Sequence, residues 1–106
     1  MEESYDISWT ARAGKDLLQI RKYLVNHASE IVADKVVNAL VSVTEILKKQ
    51  PEMYPPDPNI KQSDRNIRFI RKWNYRIVYE FTGTEVIIAR VLHNRRNLQK
   101  LMKEDV

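Results

Sequence analysis

NIRFIRKWNYRIVYEFTGTEVIIARVLHNRR, residues 66–96, decides the fold. Three runs rich in Ile, Val, Tyr, Phe and Trp (67–73, 75–81 and 85–92) are divided by Trp73-Asn74 and by a second turn centred on Gly83. β-Branched and aromatic side chains pack well on a pleated surface, and Asn and Gly tolerate the positive φ that short hairpin turns need. The stretch therefore predicts an antiparallel meander.

With Trp73 and Asn74 as loop residues, Lys72 pairs with Tyr75, Arg71 with Arg76 and Phe69 with Val78. Arg71 and Arg76 then stand opposite one another on one face. Like charges so placed are destabilising, which makes a purely structural role a poor account of them. A three-residue second loop (82–84) sets Arg90 opposite Arg76, whereas a two-residue loop turns Arg90 away, and the sequence accommodates either register. The arginines also fit a solvated outer face, because antiparallel sheets often meet water on one side.

Upstream, Ser4–Trp9 alternates Tyr5, Ile7 and Trp9 with polar residues, predicting a short strand with one buried face. Thr10 stands where an N-cap belongs, and Ala13, Leu17, Ile20 and Leu24 follow helical spacing to about Asn26, with Leu18 and Val25 widening the stripe. His27-Ala28 is a very short connection, and Ser29 is placed to cap a second helix. Its core stripe is Val32, Val36, Leu40, Val43 and Leu47, flanked by Val37, Val41 and Ile46, and Pro51 stops it after Lys48 and Lys49. Helices joined so tightly run antiparallel, and neither buries its stripe alone, so the pair is expected on one face of the sheet. Residues 51–64 contain all four prolines and read as a loop. Beyond the last strand, residues 95–103 are expected to add a short C-terminal helix with Leu98, Leu101 and Met102 on its apolar side. The expectation is an α+β fold in the order β-α-α-β-β-β: an antiparallel sheet with an N-terminal strand and a helical hairpin on one face, in a single domain spanning 1–106.

Composition narrows the chemistry. A length of 106 residues with 43% hydrophobic content suits one core. No apolar run approaches the ~20 residues of a membrane span, the start MEESYD is acidic, and there is no cysteine, so a cytoplasmic protein is expected. His27 and His93 lie far apart and offer no metal-ligand spacing; the only glycines, Gly14 and Gly83, cannot form a phosphate loop; no GxSxG is present. Neither metal nor cofactor is expected. Residues 1–60 carry seven Lys/Arg against nine Asp/Glu, but residues 61–103 carry eleven against three, in a chain of net charge +4. So lopsided a distribution suits an anionic partner: nucleic acid, an acidic protein segment or a phosphate-bearing surface. His93, followed by Asn94-Arg95-Arg96, is a candidate proton carrier beside phosphate-gripping arginines, although a histidine at a strand end also serves simply as a packing or capping residue. Trp73 and Tyr75 have the chemistry to stack on bases, and equally that of packing residues.

The Tyr75-Arg76-Ile77-Val78-Tyr79 core and the Arg90-Val91-Leu92-His93-Asn94-Arg95-Arg96 ending, in the order β-α-α-β-β-β, resemble the RelE/ParE superfamily of toxins from type II toxin–antitoxin (plasmid stabilisation) modules. The resemblance spans almost the whole chain. It implies a growth-arresting toxin held by a cognate antitoxin in a toxin–antitoxin hetero-oligomer, and the cationic excess over residues 61–103 leads to the expectation that the antitoxin contributes an acidic, partly disordered segment. RelE-like members are ribosome-dependent messenger-RNA endonucleases, whereas ParE-like members act on DNA gyrase. Arg76 matches the middle-strand arginine of the nucleases, and Arg90 and His93 lie near their other active positions, so these three are the catalytic candidates if the chain is a nuclease. Arg68, Arg71, Arg95, Arg96 and Lys100 are the candidates for contact with the target or with nucleic acid. The tail NRRNLQKLM lacks the tyrosine that many nuclease members carry there, and the long hairpin with its His-x-Arg-Arg ending looks more like ParE. An inactive relative that keeps only antitoxin binding is the third expectation.

Overall fold

A computed structural model describes residues 4–58 and 64–93. It contains β1 (Asp6–Trp9), α1 (Ala11–His27), α2 (Glu30–Val43), a 3-10 turn (Thr44–Lys48), β2 (Ile67–Lys72), β3 (Tyr75–Phe81) and β4 (Glu85–His93). The strands form one sheet in the order β1-β4-β3-β2. The expected element order and α+β class hold. The meander is antiparallel, but β1 lies parallel to β4, which makes the sheet mixed. A parallel pair needs a long connection, and here everything between β1 and β4 supplies it. The expected C-terminal helix lies outside the described residues.

Thr10 fastens the two layers together. Its hydroxyl oxygen accepts from the Ala13 amide at 3.0 Å, capping α1, and donates to the Ala89 carbonyl on β4 at 3.0 Å, while its own amide donates to the Ile88 carbonyl at 3.0 Å. Ser29 caps α2 in the same way, accepting from the Val32 amide at 3.0 Å. Each such cap satisfies an amide that the first helical turn leaves free.

The main core joins Ala13 of α1, Leu40 of α2 and Leu47 of the 3-10 turn to Ile70, Ile77, Tyr79, Phe81, Val86, Ile88 and Val91 of the sheet. Tyr79 is fully buried and donates its phenol proton to the Pro51 carbonyl at 2.7 Å; burial pushes its pKa up to about 12. The helical stripes are narrower than the spacing predicts. Leu18, Val25, Val32 and Ile46 face outward, whereas Ala33 and Asp16 are buried. The second helix also ends early: Thr44, buried, donates its hydroxyl to the Val41 carbonyl at 2.7 Å, and the chain tightens into the 3-10 turn that carries Leu47 inward.

The proline-rich loop runs beside the outer edge of β2. Phe69 donates its amide to the Pro55 carbonyl at 3.3 Å and Asp57 to the Ile67 carbonyl at 2.9 Å, so part of an edge that would otherwise offer free backbone groups is covered. Ile67, Val78 and Leu92 form a smaller buried cluster, alternating in the strands with the residues that meet the helices.

Candidate functional site

The β2–β3 hairpin has the register expected from its two-residue loop: Lys72 opposite Tyr75, Arg71 opposite Arg76, Phe69 opposite Val78. Its backbone is less ordinary. The left-handed residue is Trp73, at φ 52°, and not the Asn74 beside it, although Asn tolerates that region better than a bulky aromatic. Trp73 is 55% exposed, with the Lys72 ammonium 4.6 Å from its ring centroid.

Arg71 and Arg76 therefore share a face, the one that carries Ile67, Val78 and Leu92. Arg71 is exposed. Arg76 is drawn in: its guanidinium lies 4.1 Å over the Phe69 ring and 3.4 Å from the buried Asp57 carboxylate. That carboxylate and the ring quadrupole offset the repulsion expected between the two arginines.

Arg90 does not join them. The β3–β4 turn closes on two residues, Gly83 (φ 98°) and Thr84, with the Thr82 amide donating to the Glu85 carbonyl at 3.0 Å. Farther along, the register shifts between Tyr79, opposite Ile88, and Val78, opposite Arg90, so that Ala89 is skipped. This β-bulge redirects the side chain beside it. Arg90 is 2% exposed and reaches α1, donating to both Asp16 oxygens at 2.8 and 3.2 Å, while the same carboxylate accepts the Val91 amide at 2.9 Å. The parallel pairing with β1 ends at Ile88, so Asp16 serves the next stretch of β4 edge in place of a strand.

His93 lies opposite Tyr75, on the helix side, and meets that ring edge-on at 5.7 Å. It borders a groove of about 520 Å³ between α1 and the ends of β3 and β4, which Asp16, Ile20, Tyr23 and Tyr75 also line. Burial first, then the neighbouring Tyr23 phenol, pushes the Tyr75 phenol above its ordinary range. Since Arg76 lies opposite Leu92 and His93 opposite Tyr75, Arg76 and His93 stand on opposite faces of the sheet.

Arg68 is committed to the proline-rich loop, donating to the Tyr54 carbonyl at 2.6 Å, the Glu52 carbonyl at 3.1 Å, Glu52 Oε2 at 3.3 Å and Asn66 Oδ1 at 2.9 Å. Arg95, Arg96 and Lys100 lie outside the described residues. Of the sequence-derived candidates among the described residues, only Arg71 and Arg76 come together. Sequence reasoning passed over Asp16 and Asp57. Asp16 carried a readable signal, since it sits three residues after Ala13 and four before Ile20, on the buried stripe. Among the described residues no group of three or more His, Asp or Glu side chains could hold a metal ion.

This arrangement of a helical hairpin on a short mixed sheet is shared with proteins of toxin–antitoxin modules. A chain from the chromosomal ParDE system of P. aeruginosa superposes with a TM-score of 0.70 at 20% identity, over 85% of this chain and 96% of that one. A chain from the RelBE2 toxin–antitoxin complex of Mycobacterium tuberculosis gives 0.60 at 21% identity, over 85% and 98%. No curated protein matches the sequence. The chain belongs to the family described as the ParE toxin of the type II toxin–antitoxin system parDE, whose model matches residues 7–98.

Proposed function

We propose that this ParE-family toxin acts by binding DNA gyrase rather than by cutting RNA, and that a cognate antitoxin neutralises it in a hetero-oligomer. One observation carries the choice: the three groups a nuclease would converge on one phosphodiester are dispersed. Arg76 and His93 occupy opposite faces of the sheet, and Arg90 is buried against Asp16. Proton transfer requires the acid or base within hydrogen-bond reach of the reacting group, and charge stabilisation requires donors aimed at the same atoms. Arg71 and the Arg95, Arg96 and Lys100 of the tail are then docking residues. The antitoxin reading is supported by the family and by the excess of cations over residues 61–103, which suits an acidic segment that orders on binding.

The test expresses wild type and His93→Ala in parallel, scoring gyrase-mediated DNA breaks and ribosome-bound message cleavage. DNA breaks without message cleavage, at equal levels in both, are expected. Message cleavage that disappears in His93→Ala would mean a RelE-like endonuclease, whose loss of a preorganised contact costs about 10²–10³ in rate.

A further inference from the structure

We propose that the tip of the β2–β3 hairpin is a contact site for an unpaired DNA strand, in which Trp73 stacks on a base while Arg71 and Lys72 meet the flanking phosphates. Trp73 occupies the left-handed region at φ 52° and is 55% exposed. For a non-glycine residue that conformation is strained, and an exposed ring recovers little of the cost through burial. Strain held at a solvent-facing position is a mark of a functional contact.

The tip is also chemically one-sided. From Arg71 to Arg76 the sequence RKWNYR holds three cations, two aromatics and no carboxylate. Arg76 is neutralised by Asp57, but neither Arg71 nor Lys72 has a carboxylate partner among the described residues. Lys72 sits over the Trp73 ring at 4.6 Å, which places a cation on one face and makes the other the stacking surface. A nucleic-acid strand offers flat bases at a fixed distance from phosphates, and an aromatic platform flanked by cations matches both features. An acidic peptide would use the cations but has no need of the ring. Choosing DNA over RNA rests on the gyrase reading; the site itself rests on the hairpin.

The experiment measures binding of the purified chain to a labelled single-stranded oligo-dT by fluorescence anisotropy. A Trp9→Phe background makes Trp73 the sole tryptophan for quenching. Trp73→Gly, which suits the turn, is expected to fold at least as stably as wild type yet to bind about tenfold more weakly, the worth of one stacked base. Trp73→Phe should keep most of the affinity, and Arg71→Ala should lower the slope of log K against log salt by about 0.7. Unchanged oligo-dT binding in Trp73→Gly overturns the proposal. So does equal quenching by poly-glutamate, which would make the tip an acidic-peptide site, or tighter binding of oligo-rU, which would make it an RNA site. A wild type that binds oligo-dT through Trp73 but produces no gyrase-mediated breaks refutes the gyrase reading alone; breaks without Trp73-dependent binding refute the tip alone.

Discussion

Arg90 and Arg71 lie on strands of the same sheet and have opposite fates. Arg90 sits at a bulge on β4 where the edge strand has ended and a helix covers the gap, so its guanidinium is enclosed and spends its donors on Asp16. Arg71 sits beside the tip of the β2–β3 hairpin, away from the Pro56–Arg68 bridge that ties the proline-rich loop to β2, and is exposed. One region is closed and satisfied; the other is open, strained and cationic. The difference teaches that an arginine's role follows from what the neighbouring element can deliver to it. A buried arginine without its carboxylate would be an uncompensated charge, whereas an exposed one keeps its charge available to a partner.

The sharpest way to break this contrast is to remove the carboxylate. Asp16→Ala strands Arg90 in the interior and frees the Val91 amide, and should destabilise the chain by about 3–5 kcal/mol in urea unfolding. Replacing both partners with apolar residues, Asp16→Leu with Arg90→Met, should recover most of that loss, because the cost lies in the unpaired charge and not in the missing bridge. A loss below about 1 kcal/mol for Asp16→Ala alone would show that water reaches Arg90 and that the two regions are alike.

A second, smaller effect probes the same closed side. Tyr79→Phe removes the hydrogen bond to Pro51 and should cost about 1–2 kcal/mol at neutral pH. It should also alter the alkaline limb. The folded-state pKa of about 12 lies above the ordinary value of 10, so the stability tied to this phenol is complete below pH 10 and is lost as pH rises from 10 towards 12. Thermal unfolding followed across that interval should fall more steeply in wild type than in Tyr79→Phe.

The smallest effect belongs to the open side. Arg71→Ala should change stability by less than about 0.5 kcal/mol, in the stabilising direction, because it removes a like charge opposite Arg76 and breaks no ion pair with a described residue. A strong destabilisation would show that Arg71 has a structural partner and that the tip is not a free surface.

Much of this was legible before any coordinates. The hairpin register followed from a two-residue loop between alternating strands, since a period of two leaves few ways to align them. The caps at Thr10 and Ser29 followed from side-chain chemistry local to each helix start. Less legible were the width of the helical stripes and the end of α2 at Val43, because these depend on how closely the helices approach the sheet. The burial of Asp16 was half visible: its place on the stripe pointed inward, but no local pattern names a partner 74 residues away.

By itself, then, the sequence determined the element order, the antiparallel meander, the caps, the pairing of Arg71 with Arg76 and the basic bias of its C-terminal half. All of these rest on local propensity, side-chain periodicity or charge, which act over a few neighbours or none. Only the tertiary structure decided that β1 joins β4 in parallel, that a bulge skips Ala89, that Arg90 belongs to Asp16, and that Arg76 and His93 face opposite ways. Each of those outcomes is set where distant segments meet: a single-residue shift in register re-aims the side chains beside it, and the carboxylate that receives Arg90 lies on a helix far away in the chain.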